Sequence, residues 1–470
     1  MRTFIYYGLR ISILFYVFLH IVTFFIENTL LLEMLPLFGL AIILFGLLST
    51  PLTKFKLPLF ILFISIMILL FSGTHIINGL ISGMTEMRNV IGLLVVIPLI
   101  SSALQEEPYI ENLMGVFHDF INTSKKFYFT LVSLTQVLTY FLLFGSITMM
   151  YQFVDVVLKN QKGEMWERYK GTALLRGYAL STLWVVTVPS FIVVVDTLNA
   201  SIYISIAQGF GIALIGTIIG VFFVSSAERR QSLDITSVLQ KEINTVLVNA
   251  SHNKEERKQK VIEFFILFLS LFGTIFIIYG IWEVPLMTLI PIVIIGWTIT
   301  FYIYKRRIYK FKALTKDYFF NSLKNQTYQV SLMLSIGALI FSLNQTNFAE
   351  NVVGGLNFLE NYISWLNPLY LLPFIVIILG LLGLGPLTVM VLMAGILNSL
   401  ALPYPPELIV LAITSGSVIS ILISPVIMPL IVLSASNGLS LFTNGFKFNW
   451  KYSLVFYAVT QLYIQLMILF

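Results

Sequence analysis

The chain contains no cysteine, which excludes disulfides, thiolate metal sites and cysteine nucleophiles. Charge is scarce: 11% of its 470 residues are charged, against roughly a quarter in an average soluble domain. Its four histidines, His20, His75, His118 and His252, lie too far apart for the helical spacing of a metal site. No G-x-x-x-x-G-K-[ST] loop is present, which argues against ATP-driven pumping by this chain. No nucleophile elbow and no pair of intramembrane aspartates stands out. The sequence therefore predicts no enzyme activity, no metal and no cofactor beyond a coupling ion.

Apolar residues make up 58% of the chain. A soluble fold of this size cannot hide that much apolar surface, so lipid is the expected solvent. The net charge of +6 is small, and the basic residues cluster between apolar runs. That distribution suits membrane orientation rather than nucleic-acid binding.

Apolar runs long enough to span a bilayer occur near 9–26, 29–50, 57–72, 89–104, 127–151, 177–195 and 201–225. After a polar stretch they resume near 262–281, 284–304, 328–343, 367–398, 406–435 and 450–470. They do not alternate as barrel strands would. The predicted fold is an all-α polytopic membrane protein with about 11–13 transmembrane helices. The first run is too long for a signal peptide and is read as a retained helix. Arg2 and Arg10, Lys54 and Lys56, the segment 226–261, and the loop from Lys305 to Lys316 all fall on one side if that side is the cytoplasm. The N-terminus is accordingly placed in the cytoplasm, and the chain in the inner membrane, with lipids as its immediate partners.

The two halves resemble one another. At an offset of 239, Leu104 meets Leu343, Glu111-Asn112 meets Glu350-Asn351, and Gly115 meets Gly354. At 240, Gly145 meets Gly385, Thr148 meets Thr388, and Pro189 meets Pro429. The basic loops give matched helices opposite directions. The predicted plan is an extra N-terminal helix over 1–28, a first inverted repeat over 29–225, a cytoplasmic linker over 226–261 and a second repeat over 262–470. Counting crossings leaves one re-entrant or broken stretch in each repeat. Gly145, Pro189, Gly385, Pro386, Pro425 and Pro429 are the candidate breaks or hinges.

The segment GYALSTLWVVTVPSFIVVVDTLNA puts Asp196, Thr197 and Asn199 just beyond a proline. An acid at membrane depth is costly unless paired or solvated, which makes it a functional candidate. Its counterpart, SGSVISILISPVIMPLIVLSASNGLS, carries Ser436 and Asn437 at the matching place. These five residues are the predicted central site, with Thr148 and Thr388 lining it. Helix capping and ordinary turns are the competing explanation for the same residues. The long side chain of Arg176 is expected to reach the interface, with attraction of an anion as the alternative. The glycines at 216 and 220 are read as helix packing.

The segment LGLGPLTVMVLMAGIL, the segment 415–440 and their counterparts around Gly145 and Pro189 together resemble the ion transporter superfamily of secondary transporters. The resemblance spans most of 29–470 in architecture. It implies bacterial permeases for carboxylates and other anions, built from two inverted repeats with re-entrant hairpins and often dimeric. Sodium-coupled members carry a Ser-Asn-Thr motif in each repeat, whereas this chain has Ser436-Asn437-Gly438 and Asp196-Thr197-Leu198-Asn199. A proton taken by Asp196 is the alternative to sodium. The expected function is ion-coupled movement of a small polar, anionic solute by alternating access. The alternative is a non-transporting factor or flippase that handles lipid-linked envelope precursors. A single solvated cavity shared by the polar residues near 196 and 436 would favour the transporter, and a lateral groove open to lipid would favour the alternative.

Overall fold

The computed structural model describes residues 2–26, 28–104, 109, 123–158, 161, 163–231, 236, 254–282, 284–362, 367–400 and 402–469. Among them there is no strand. The helices in chain order are α1 (Arg2–Phe25), α2 (Thr29–Ser49), α3 (Leu52–Ser72), α4 (Ile76–Glu86), α5 (Arg88–Val96), α6 (Pro98–Leu104), α7 (Ser124–Leu142), α8 (Gly145–Val157), α9 (Glu164–Ser181), α10 (Pro189–Thr197) and α11 (Ile202–Gln231). They continue as α12 (Lys254–Trp282), α13 (Leu286–Tyr304), α14 (Ile308–Asp317), α15 (Thr327–Asn344), α16 (Phe348–Tyr362), α17 (Pro368–Leu381), α18 (Pro386–Asn398), α19 (Pro406–Ile423), α20 (Met428–Asn437) and α21 (Phe448–Leu469).

Among the described residues nine helical stretches are long and apolar enough to cross a membrane. A tenth arises if α4 and α5, bent by 42° at Met87, form one broken span. Side chains such as Phe71, 90% exposed, stand outward where only lipid could accept them. The chain is an all-α polytopic membrane protein.

Several spans differ from the apolar runs. The run at 89–104 belongs to a stretch that begins at Ile76, with Glu86 and Arg88 flanking its bend. The run at 127–151 is two helices, because Leu143 turns to φ 47 between α7 and α8. The run at 367–398 is likewise divided by Gly383 at φ 98. The run at 177–195 is broken by turns over 182–188, and its first helix starts at Glu164. Charged residues hid that start. Of the polar segment 226–261, the first and last residues extend α11 and α12, and most of the remainder lies outside the described residues. Glu350 and Asn351 are exposed on α16; Glu111 and Asn112 lie outside the described residues.

The order of elements repeats. Helices α7 to α11 and α17 to α21 each run as a helix, a left-handed break, a second helix, a third helix, a break, a short helix with a proline in its first turn, and a final helix. Leu143 and Gly383, 240 residues apart, both take positive φ at the first break. Pro189 and Pro429 hold the corresponding first turns of α10 and α20, where a missing N–H costs nothing.

Two compact units emerge. The first comprises Met1–Ala103, Gly273–Leu366 and Val391–Pro403. In it α15 packs on α3 and α4. The α4–α15 approach is close because Gly83 faces Ala338 and Gly337 faces the Gly83 carbonyl. The Tyr16 hydroxyl donates to the Met84 carbonyl at 2.6 Å and ties α1 to the same place. The second unit comprises Leu104–Phe272, Asn367–Met390 and Tyr404–Phe470. Its centre is α9, in which every residue from Tyr169 to Ser181 is buried. A helix buried all round is a core helix, here packed against α7, α8, α11, α19, α20 and α21.

A Cβ on Gly337 would sit 2.4 Å from the Gly83 carbonyl oxygen, so Gly337→Val requires backbone movement. It is expected to lower the thermal midpoint in detergent, at a cost of about 1–3 kcal/mol. Gly296 has nothing within 4 Å of such a Cβ, and Gly296→Ala is expected to leave the midpoint unchanged or slightly raised.

Candidate functional site

Helix α9 carries Arg168, Thr172 and Arg176 at intervals of four, which places them on one helical face. Lys170 points elsewhere. Glu164 and Glu167 sit in the first turn, where the helix dipole favours them. The hydroxyls of Ser181 and Thr182 bond back to the carbonyls of Tyr178 and Ala179 at 2.6 and 2.7 Å as the helix ends.

Arg176 is 3% exposed. It does not extend to an interface, as its length had led us to expect; protein closes over it. Its Nε donates to Asn449 Oδ1 at 3.0 Å, Nη1 to the Tyr128 hydroxyl at 3.0 Å and Nη2 to the Phe448 carbonyl at 3.4 Å. The guanidinium carbon lies 4.2 Å from the centre of the Tyr452 ring, a cation–π distance. Among the described residues no carboxylate pairs with it. An arginine has five N–H donors and three are used here, which leaves one on each Nη for a further acceptor.

Asn449 is itself held from the other side. Its Nδ2 donates to the carbonyls of Asn444 and Gly445 at 2.9 and 3.3 Å. Those carbonyls belong to a π turn, Thr443–Lys447, that leads directly into α21. Asn444 and Asn437 then pair amide to amide, at 2.8 and 2.9 Å, and Asn444 also donates to Ser434 Oγ at 3.0 Å. A continuous polar network therefore runs from Ser434 and Asn437 through Asn444 and Asn449 to Arg176, Tyr128 and Thr172.

Beside Arg176 a narrow cleft is lined by Arg168, Tyr169, Thr172, Phe223 and Glu228. Its free space is about 20 Å³, room for about one water. Glu228 is tied to the Ser124 hydroxyl. Lys170, also fully buried, contrasts with Arg176. Its Nζ lies 2.9 Å from Asp155 and 2.5 Å from Glu167, and Tyr151 donates to Glu167 at 2.7 Å. Lys170 is a neutralised structural charge, whereas Arg176 is held by neutral groups alone.

The predicted site residues separate into two places. Asp196 and Thr197 end α10, and Asn199 turns the chain at φ 51. Two residues on, the Ser201 amide donates to Glu407 at 2.8 Å, at the start of α19. Asn437 instead pairs with Asn444, next to the Gly445 position that faces the carbonyls of Leu422 and Ile423 at the end of α19. Sixteen residues of helix separate Glu407 from Ile423, about 24 Å at 1.5 Å per residue. The structure thus joins Asn437 to the Arg176 network and places Asp196, Thr197 and Asn199 at the other end of α19. Ser436 bonds back to Val432 at 2.9 Å on its own helix. Thr148 is half-buried on α8 and Thr388 buried on α18, and among the described residues neither joins the network. Gly145 begins α8, Gly385 and Pro386 lie at the entry to α18, and Pro425 sits in the break before α20.

Tyr128, Asn444, Asn449 and Arg176 are the residues that sequence reasoning did not bring together. The spacing Arg168-x3-Thr172-x3-Arg176 was the available signal, but it lies in a segment too charged to read as a span. The chain matches no protein-family model and no curated protein.

Replacing Asn449 by Leu removes the acceptor of the Arg176 Nε–H and leaves a buried charged donor unmade. A loss of about 1–3 kcal/mol is expected, measured as a lower unfolding midpoint. Asn449→Asp restores the acceptor and adds a countercharge but turns its second oxygen against the Asn444 and Gly445 carbonyls, so only partial recovery is expected.

Proposed function

We propose that the protein is a secondary active transporter that moves a small polar anion across the cytoplasmic membrane by alternating access. The supporting observation is Arg176: a guanidinium buried in the core helix of the second unit, without a carboxylate partner among the described residues and with two donors left over. A buried charge held only by neutral groups is strongly disfavoured unless an anion joins it. The planar fork of arginine suits a carboxylate or a phosphate-like oxyanion, which it can grip through two parallel N–H bonds. The cleft beside it is too small for a solute in this conformation, so entry requires movement. The two sets of broken helices supply parts that can hinge, since freed backbone groups at membrane depth are tolerated only where protein or water surrounds them.

The repeated order of breaks supports two inverted repeats and membership of the ion transporter superfamily, and both belong to this proposal. So do a cytoplasmic N-terminus, a homodimer and coupling to H+ or Na+, with Asp196 as the proton acceptor if the ion is H+. The solute passes unchanged, with no enzymatic step.

Purified protein is to be screened for thermal stabilisation by carboxylates, inorganic anions, amino acids and nucleosides, with and without sodium and at two pH values. A ligand at about 100 times its Kd adds roughly 2.7 kcal/mol to the folded state. One anionic class is expected to stabilise the wild type and to lose its effect in Arg176→Gln. Asp196→Asn is expected to keep that shift but to abolish ion-driven accumulation in proteoliposomes. Stabilisation by no anion, or an undiminished shift in Arg176→Gln, rejects the reading.

A further inference from the structure

In the first unit the chain turns sharply at Arg306, φ 54, and enters the amphipathic helix α14. The π turn Tyr318–Ser322 follows directly. Phe311 on α14 and Tyr318, Phe319 and Phe320 on the turn form one wall of an open groove, and Leu14 on α1 lies against it. The groove encloses about 500 Å³ and its lining is almost entirely carbon. That size falls within the roughly 300–1,000 Å³ of small-molecule sites. Lys312 and Lys316, one helical turn apart, stand on its rim.

The charge around this groove is one-sided. Residues 305–317 contain Lys305, Arg306, Arg307, Lys310, Lys312 and Lys316 against the single acid Asp317. Among the described residues no carboxylate pairs with Lys312 or Lys316. Asp317 instead accepts from Asn321 at 2.6 Å. Arg10 stiffens the same wall: it stacks 5.6 Å from the Phe320 ring and donates to the Phe320 carbonyl at 2.5 Å.

We propose that this groove binds one anionic glycerophospholipid, with an acyl chain along Phe311, Phe319, Phe320 and Leu14 and its phosphate between Lys312 and Lys316. A free phosphate would meet the two ammonium groups but leave the aromatic wall uncovered. A zwitterionic lipid would fill the groove but bring its own cation to a rim that already carries two. Only a lipid with net negative charge answers both halves of the site. The inference stands apart from the solute site, which lies in the other unit.

The test is native mass spectrometry of the intact protein with phosphatidylglycerol or phosphatidylcholine of identical acyl chains. Phosphatidylglycerol is expected to bind about tenfold more tightly. The preference is expected to fall to about parity in Lys312→Gln/Lys316→Gln, to persist in Lys312→Arg/Lys316→Arg and to persist in the control pair Lys125→Gln/Lys126→Gln on α7. Glycerol 3-phosphate, a headgroup without chains, is expected not to compete. Equal binding of the two lipids, an undiminished preference in the Lys→Gln pair, or effective competition by glycerol 3-phosphate overturns the proposal.

Discussion

A guanidinium cannot be left bare in a low-dielectric interior, and much of the second unit is arranged around that constraint. The charge of Arg176 is met by an amide oxygen, a phenol, a backbone carbonyl and an aromatic face. None of these carries a formal charge. Each must in turn be oriented, which explains the π turn at Thr443–Lys447 and the paired amides of Asn437 and Asn444. Lys170 shows the other solution on the same helix, full neutralisation by two carboxylates. Six residues apart, one cation is closed by the protein's own acids and the other is held by neutral groups, with one N–H left over on each Nη.

The broad architecture was legible because it depends on composition and length. Long apolar runs, basic loops between them and the absence of alternation are properties of single segments. Matched glycines and prolines at an offset of 240 pointed to places where helices do break, since Gly383 and Leu143 take positive φ there and Pro189 and Pro429 open short helices. What a hydropathy window cannot see is a core helix that carries charge. Glu164, Glu167, Arg168 and Lys170 made the first half of α9 look like a loop, although its later residues are buried without exception. The stretch from Ile76 was missed for the same reason, with Glu86 and Arg88 at its bend.

The candidate site was legible only in part. Asn437 was singled out, and the structure gives it a place in the network. Asp196 was singled out by the same logic of an acid beyond a proline, and it lies at the opposite end of α19. Two positions matched in sequence need not meet in the fold. The partners of Arg176, by contrast, come from α7 and α21, and no local pattern in the sequence connects them.

The distance along the chain between these partners has a consequence for how the protein is made. Arg176 and Asn449 are separated by 273 residues. At roughly 5–20 residues per second, synthesis takes about 14–55 s to travel between them. A charged segment such as α9 is disfavoured in lipid on its own, at about 2.5–3.5 kcal/mol for an arginine at the centre of a helix. During that interval α9 has neither the amide nor the aromatic face that later shelters it. Its final seating must therefore follow the arrival of α21, so a helix made much later completes the burial of one made early.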